Sequence, residues 1–364
     1  MQKTICIAGK NNIAVNVLNY ALDKYSNYDF CIICNKTDNA KDGWQKSLKK
    51  YAQVHNVKEV ELSDVYDIDN LIFLSLEFDK IVKPELFKSN QLFNIHFSLL
   101  PKYKGMYTSA LPILNDESCT GVTLHLISRG IDTGDIIAQD TITLEPKDTS
   151  QKLYRKYIQK GSELVIKHLD SLISGLYTHF PQPSQGSSYF SKKTIDYTNI
   201  VIDLNKTAYQ IGLQIRAFSF REYQLPTIYN HKIVDYEITD EPSHKPGDIL
   251  YQNNYVLKIS TIDYNIWLYI DTFDEVMKIC HKGDEKHTLN NIPRIDMYFD
   301  QRNDVGQTPL LTAIENNQYD IVKYLLDSGA SATDIDYEGH DVEFYLSYLK
   351  GNGIDISKYE SLFL

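Results

Sequence analysis

The N-terminal segment restricts the fold most. Thr4 to Ala8 is a short apolar run and Gly9-Lys10-Asn11-Asn12 a polar turn. From Ile13 to Tyr25 the apolar residues Val15, Val17, Leu18, Ala21 and Leu22 recur at helical spacing, and Phe30 to Cys34 is a second apolar run. Strand, polar turn, helix and strand open a doubly wound α/β domain, whose ligands collect beyond the carboxyl ends of the strands. A single glycine stands where a dinucleotide fingerprint needs three, so NAD is not the expected ligand. A helix N-terminus that meets some other polar ligand fits the turn better.

Trp44 to Val54 reads as a helix, Val57 to Leu62 as a short strand, and Leu71 to Leu76 as a buried strand running out into Glu77-Phe78-Asp79-Lys80, a candidate cavity wall. Leu92 to His96 is the next strand, Ser98 to Gly105 a loop, and Met106 to Leu114 the start of a helix. Gly121 to Ser128 and Ile136 to Leu144 alternate as strands around the turn Asp132-Thr133-Gly134-Asp135, and Thr149 to Leu176 is one long helical pattern. Pro181 to Ser188 has the composition of a linker, and Asn205 to Phe218 is helical. From Tyr229 onward, Lys232-Val234, Ile249-Tyr251, Tyr255-Ile259 and Ile266-Ile270 read as a small β-hairpin or barrel unit.

At 364 residues the chain is longer than one core usually serves, and 43% hydrophobic with 23% charged residues is ordinary globular composition. A net charge of -11 speaks against a partner held through many phosphates, such as nucleic acid, while leaving room for a local pocket that takes one pyrophosphate. Five scattered cysteines fit reduced thiols, and Cys31 and Cys34, inside an apolar run, read as structural rather than zinc-binding. The start Met1-Gln2-Lys3 lacks a signal-peptide layout and no stretch is long enough for a membrane helix, so a cytoplasmic protein without membrane contact is expected.

Asp304 to Ala330, with its Thr308-Pro309-Leu310 opening and Ile321-Val322 to Gly329-Ala330 close, resembles an ankyrin repeat, and Asp336 to Gly339 restarts the pattern one repeat later. Arrays of this kind usually need about three repeats to stand alone, so the unit is expected to pack on what precedes it. The organisation expected is therefore a catalytic Rossmann-like domain at 1–185, a linker helix with a small β unit at 186–290, and an ankyrin unit at 291–364.

The chemistry concentrates in Phe93-Asn94-Ile95-His96-Phe97-Ser98-Leu99-Leu100-Pro101. On a strand the period of two puts the Asn94 amide and the His96 imidazole on one face. An amide can donate to an oxygen that turns negative as a carbonyl is attacked, an imidazole can take the proton of an incoming amine, and a carboxylate such as Asp132 can steady that imidazole. That is equipment for acyl transfer to an amine. Singly each residue has an ordinary structural use: a hydrogen-bonded core histidine, a loop-closing asparagine, an Asx-turn aspartate. His125 could face the same cleft but reads as structural, and no set of close-spaced His or Cys suggests a metal.

Taken together, Asn94-x-His96-x-Ser98-Leu99-Leu100-Pro101, Lys104-Gly105, Gly121-Val122-Thr123 and Asp132-Thr133-Gly134-Asp135 resemble the signature of the folate-dependent formyltransferases. That family includes methionyl-tRNA formyltransferase, glycinamide ribonucleotide transformylase and the sugar N-formyltransferases. The likeness extends through Ile215-Arg216-Ala217-Phe218 and Pro246 to Leu250, covering about residues 1–275, and leaves out the ankyrin unit. It implies an α/β Rossmann-like domain that binds 10-formyltetrahydrofolate, with Asn94, His96 and Asp132 as catalytic triad. Leu76, Glu77, Phe78, Ile127 and Gly130 are implied near the folate. The aromatic loop Lys102 to Ala110 is similar to that of the sugar enzymes, which implies a nucleotide-linked amino sugar used for bacterial surface polysaccharide.

An appended ankyrin unit is similar to that of some sugar N-formyltransferases acting on dTDP-3-amino-3,6-dideoxyglucose, which favours that acceptor over its 4-amino isomer. Methionyl-tRNA and a non-catalytic interaction protein are the remaining alternatives. Lys80, Lys102, Tyr103, Met106, Tyr107, Arg216, Phe220 and Tyr223 are candidates for holding the nucleotide through stacking and phosphate contacts. A homodimer is expected, with the ankyrin unit binding a small ligand or supporting the dimer.

Overall fold

A computed structural model describes residues 2–284 and 288–363. It divides into two compact units. One gathers the chain up to Lys41 with Gln45–Ile228, the other Asp42–Trp44 with the chain from Tyr229 onward.

The first unit is built on a seven-stranded sheet. Its strands are β1 (Thr4–Gly9), β2 (Asp29–Cys34), β3 (Lys58–Glu59), β4 (Leu71–Leu76), β5 (Leu92–His96), β7 (Cys119–Leu126) and β8 (Ile136–Thr143), in the order β3-β2-β1-β4-β5-β7-β8. A short β6 (Lys104–Gly105) lies outside it. The first five strands pair in parallel, whereas β5–β7 and β7–β8 are antiparallel. Strands β1 and β4 are apolar on both faces because helices cover them, the usual signature of parallel strands, whereas β5 carries Asn94 and His96 on one face. The expected α/β fold class holds.

Helix α1 (Asn11–Lys24) buries Ile13, Val17 and Leu18, and α4 (Ser150–Ser174) buries Leu153, Tyr157, Leu164 and Leu169. Gly161 is where they meet the sheet: an added Cβ would lie 2.9 Å from Ile13 and 3.3 Å from Phe97. Thr149 caps α4 by accepting from Lys152 N–H, and Gly175 ends it in the left-handed conformation.

Several elements are shorter than their periodicity suggested. Ser47 accepts from Lys50 N–H, so α2 starts late, at Leu48–Val54. The apolar run Val57 to Leu62 pairs only at Lys58–Glu59 before a 3-10 turn at Leu62–Val65. Helix α3 is confined to Leu111–Leu114, because Tyr107 takes a left-handed φ of 65° and the chain turns before it can wind. A capping box between Thr207 and Gln210 sets the start of α5 (Ala208–Phe218). The proline-serine segment ends in a strand, β9 (Tyr189–Phe190), which pairs in parallel with β6.

The chain runs from β1 to β2 on one side and later enters β4 on the other, so the sheet's strand order reverses between β1 and β4. A crevice opens beyond such a switch point. There Gly9 and Leu76 are register partners, and a Cβ on Gly9 would lie 1.8 Å from the Leu76 carbonyl oxygen. No side chain fits.

In the second unit, strands His231–Pro242, Tyr264–Ile270, Val256–Ser260 and Ile249–Gln252 pair antiparallel in that spatial order. Helix α6 (Phe273–Lys282) follows, then α7 (Pro309–Glu315), α8 (Tyr319–Asp327), α9 (Val342–Gly351) and α10 (Ser357–Glu360). Phe273, Val276 and Ile279 of α6 share one apolar core with Leu310, Leu311, Val322, Leu325, Leu349 and Tyr359. Among the described residues no helix is long and apolar enough to cross a membrane.

Gly9→Ala is expected to destabilise the protein by about 2 to 4 kcal/mol, since the backbone of β4 cannot retreat without breaking the sheet. Gly43→Ala, where an added methyl meets nothing within 4 Å, is expected to change stability by less than about 0.5 kcal/mol. Urea midpoints of the two variants check this, and equal midpoints would contradict it.

Candidate active site

Beyond the carboxyl ends of β1, β4 and β5 lies a cavity of about 670 Å³. Strand β5 aims Asn94 and His96 into it from one face. The antiparallel partner β7 sets His125 opposite Asn94 and Thr123 opposite His96.

Thr123 organises the loop that follows β5. Its hydroxyl donates to the Ser98 carbonyl at 2.6 Å and accepts from Leu100 N–H at 3.1 Å, while Ser98 Oγ donates to the Lys102 carbonyl at 2.7 Å. The tightened loop puts Tyr103 at a φ of 59°. Such a backbone costs about 1 to 3 kcal/mol in a non-glycine residue. The surroundings hold it: Tyr103 N–H donates to Ser188 Oγ, its hydroxyl donates to Glu117 at 2.7 Å, and its ring stacks on Phe190.

That conformation delivers two main-chain groups to the site. The Tyr103 carbonyl accepts from His96 Nε2 at 2.8 Å, and Gly105 N–H donates to Asp132 Oδ2 at 2.8 Å. Because Nε2 carries the proton, a neutral His96 has its lone pair on Nδ1, 3.4 Å from Asp132 Oδ2. Sequence reasoning gave Asp132 the task of orienting the imidazole. The structure gives much of that task to a main-chain carbonyl, leaving the carboxylate to face the basic nitrogen.

Electrostatics follow from burial. His96 is 8% exposed, and loss of solvent pulls its pKa below the ordinary 6.5 even though Asp132 and the Tyr103 carbonyl push it up. Burial would raise the Asp132 carboxyl, but His96, His125 and Gly105 N–H overcome it and bring the value down to about 2. Glu77, at the end of β4, is raised by burial against the opposing pull of Tyr154, Lys10 and Asn11. Its carboxylate accepts from Tyr154 Oη at 2.7 Å and Asn11 Nδ2 at 3.1 Å.

Of the residues singled out in the sequence, Asn94, His96, Asp132, Glu77, Phe78, His125, Ile127, Gly130, Lys80 and Met106 line this cavity. The others lie elsewhere. Leu76 is buried in β4. Lys102 pairs with Glu117 at 3.1 Å on the surface, and Tyr103 turns its ring into the protein. Tyr107 donates its hydroxyl to the carbonyl of Lys192, which itself lines the cavity. Arg216 donates to the carbonyls of Glu145 and Asp148. Phe220 is only 4% exposed and packs on Tyr154, so no base can stack on it, and Tyr223 covers it from outside.

Lys10, Asn35, Arg129, Tyr189 and Lys192 also line the cavity and were not anticipated. Lys10 and Asn35 directly follow β1 and β2, and the rule that ligands meet carboxyl strand ends would have found them. Asn35 staples the wall, donating to the Glu77 carbonyl and accepting from Asp79 N–H. Among the described residues no three His, Cys, Asp or Glu side chains converge as metal ligands would.

A formyl transferase family model matches residues 4–169. The chain is 30% identical over 298 residues to the methionyl-tRNA formyltransferase of Francisella tularensis subsp. mediasiatica, spanning 85% of that protein. The chain belongs to the formyltransferase family. Likeness to other curated members is more local: the match to the methionyl-tRNA formyltransferase of Methylacidiphilum infernorum, 36% identical, spans 39% of that enzyme. Among solved formyltransferases, a sugar 3N-formyl transferase crystallised with dTDP and 5-N-formyl-THF is 44% identical, with a TM-score of 0.69 over 75% of this chain and 99% of that one. An N-formyltransferase from Helicobacter canadensis, in complex with folinic acid and dTDP-3-aminofucose, is 45% identical with the same TM-score over 74% of this chain and 100% of that one. Outside the formyltransferase region, residues 305–334 match an ankyrin repeat model.

The Asp132 carboxyl predicts an acid-stability signature. Its folded pKa of about 2 lies below the reference of 3.8, so it stabilises the fold above about pH 4, and that contribution is lost as pH falls towards 2. Over that window the wild type is expected to lose about 2 kcal/mol more than Asp132→Asn. Urea unfolding at pH 5 and pH 2 measures the difference; parallel losses would contradict it.

Proposed function

We propose that this protein transfers a formyl group from 10-formyltetrahydrofolate to the amine of a dTDP-linked amino sugar, with dTDP-3-amino-3,6-dideoxyglucose as preferred acceptor and bacterial surface polysaccharide as destination. The observation that carries it is the convergence of Asn94, His96 and Asp132 at one cavity, with the basic nitrogen of His96 facing the carboxylate. Support for the sugar comes from the two solved relatives, which are matched over essentially their whole length and carry dTDP or a dTDP-amino sugar beside a folate.

The cavity suits such ligands. Its volume is within the roughly 300 to 1,000 Å³ of small-molecule sites. Phe78, Val82, Ile127 and Ile131 offer apolar walls for a flat ring system, and Lys10, Lys80, Arg129 and Lys192 place positive charge for a diphosphate, despite the chain's net charge of -11. The bound folate supplies an activated formyl group.

The chain's own residues do the rest. His96 Nδ1 takes the proton that the amine loses as its nitrogen attacks the formyl carbon, and gives that proton to the folate nitrogen as the bond from that nitrogen to the formyl carbon breaks. Asp132, already anionic and 3.4 Å away, stabilises the resulting imidazolium, while Tyr103 keeps Nε2–H engaged throughout. Asn94 donates an N–H to the formyl oxygen as negative charge gathers there.

Purified protein with 10-formyltetrahydrofolate should formylate the dTDP-3-amino sugar at least about tenfold more efficiently than the 4-amino isomer, and methionyl-tRNA not at all. A blank with every sugar would end the proposal.

A companion measurement tests the base. Because burial lowers the His96 pKa, the acid limb of kcat/KM is expected below pH 6.5. His96→Asn should lower kcat by roughly 10² to 10⁴ with little change in thermal midpoint. An acid limb above 6.5, or full activity in the variant, would refute the assignment.

A further inference from the structure

Asn94 can serve an oxyanion only if its NH₂, and not its oxygen, faces the reacting atoms. An isolated asparagine has no such preference, since the two ends of the amide are nearly the same shape. Something has to choose.

We propose that His125 is the positioning residue that makes this choice. The inference rests on the formyl-transfer reading above and assigns a part in it to a side chain that the mechanism leaves unused. His125 is 2% exposed, on β7 directly opposite Asn94. Its Nδ1 lies 2.8 Å from the Leu126 carbonyl oxygen, an acceptor only, so Nδ1 carries the proton. In the neutral ring Nε2 is then a lone pair, and Asn94 Nδ2 stands 3.0 Å from it.

A lone pair attracts the amide's NH₂ and repels its oxygen. One Asn94 N–H is consumed by His125, and the geometry of the planar NH₂ group sends the second in a fixed direction. Among the described residues no further hydrogen-bond partner is present for that second N–H, and Asn94 lines the cavity.

The chain of control therefore runs from the Leu126 carbonyl to the His125 tautomer to the Asn94 amide. Leu126 is held in turn, since its N–H donates to the Asp135 carbonyl. Nε2 is 3.7 Å from Asp132 Oδ1, too far for a hydrogen bond, so Asn94 Nδ2 at 3.0 Å is its nearer partner. His125 touches neither the proton nor the formyl group in this scheme. It acts through Asn94.

Two substitutions separate this role from a packing role. His125→Gln keeps an acceptor that can receive the Asn94 N–H, whereas His125→Leu fills space without one. Loss of a correctly presented donor of this kind costs roughly 10² to 10³ in kcat. His125→Leu should therefore lose about 10²-fold in kcat, with KM for donor and acceptor within threefold of wild type. The acid limb of its pH profile should stay where His96 sets it, and His125→Gln should recover most of the loss.

Wild-type kcat in His125→Leu, equal damage in both variants, or an acid limb displaced in His125→Leu would each overturn the proposal. Substrate is not needed for a second readout: ¹⁵N NMR of the folded wild-type protein is expected to report the His125 ring proton on Nδ1, and an Nε2–H tautomer would overturn it. If the wild-type protein itself formylates no acceptor, the formyl-transfer reading fails first. That outcome is distinct from an active wild type whose His125→Leu variant is unimpaired.

Discussion

The site depends on the hydrogen-bond register of β5 between two different neighbours. On one side it pairs in parallel with β4, Ser75 against Asn94 and Leu76 against Ile95, and on the other antiparallel with β7, Asn94 against His125 and His96 against Thr123. Side chains alternate with a period of two, so a slip of one residue would exchange the faces occupied by Asn94 and His96 with those of Phe93 and Ile95. Apolar Phe93 and Ile95 on the opposite face forbid that slip, because both are buried. The packing of the core and the aim of the polar residues are thus one constraint. Antiparallel β7 ends at Leu126 against Phe93, and the turn to β8 that follows brings Asp132 back to within 3.4 Å of His96 at the last residue of β5.

Within this frame the charge is distributed economically. The cluster buries one anion and two imidazoles. Ionising both rings would take two cations out of water beside a single carboxylate, and removing an ion from water costs several kcal/mol even after relaxation. A single negative charge, held by the Gly105 N–H and facing His96, is the arrangement the surroundings favour, consistent with a lowered Asp132 and a lowered His96. The ordering suits proton acceptance: His96 begins neutral, with the group that stabilises its cation already ionised.

Much of this was legible in the sequence, for identifiable reasons. Alternation marked β5, turn chemistry marked Asp132, and the long 3.6-residue pattern marked α4. What was illegible depended on main-chain atoms or on distant partners. No residue type announces that the Tyr103 carbonyl will hold a histidine, since that follows from a left-handed φ imposed by Thr123, Ser98 and Ser188. Tyr103 looked like a ligand contact and proves to be a support. Arg216 and Phe220 looked available because an arginine and an aromatic after a helix suit a nucleotide; the sequence does not reveal that the carbonyls of Glu145 and Asp148 and the ring of Tyr154 already occupy them. The linker-like stretch before Tyr189 hid a strand because β9 is two residues long and draws its order from β6.

The ankyrin segment shows the same logic at the scale of whole helices. A single repeat cannot bury both faces of its helix pair, which is why arrays need neighbours. Here α7 and α8 find them on two sides. Helix α6, which belongs to no repeat, supplies Phe273, Val276, Ile279 and Cys280, and the following α9 and α10 supply Tyr345, Leu349 and Tyr359, all in one continuous core. Tyr298 stitches the entry to that core, its hydroxyl accepting from Thr272 N–H at 2.9 Å. The repeat is therefore an inseparable part of a larger helical body rather than an appended module, and removing it would strip the apolar face of α6 as surely as it would delete the repeat.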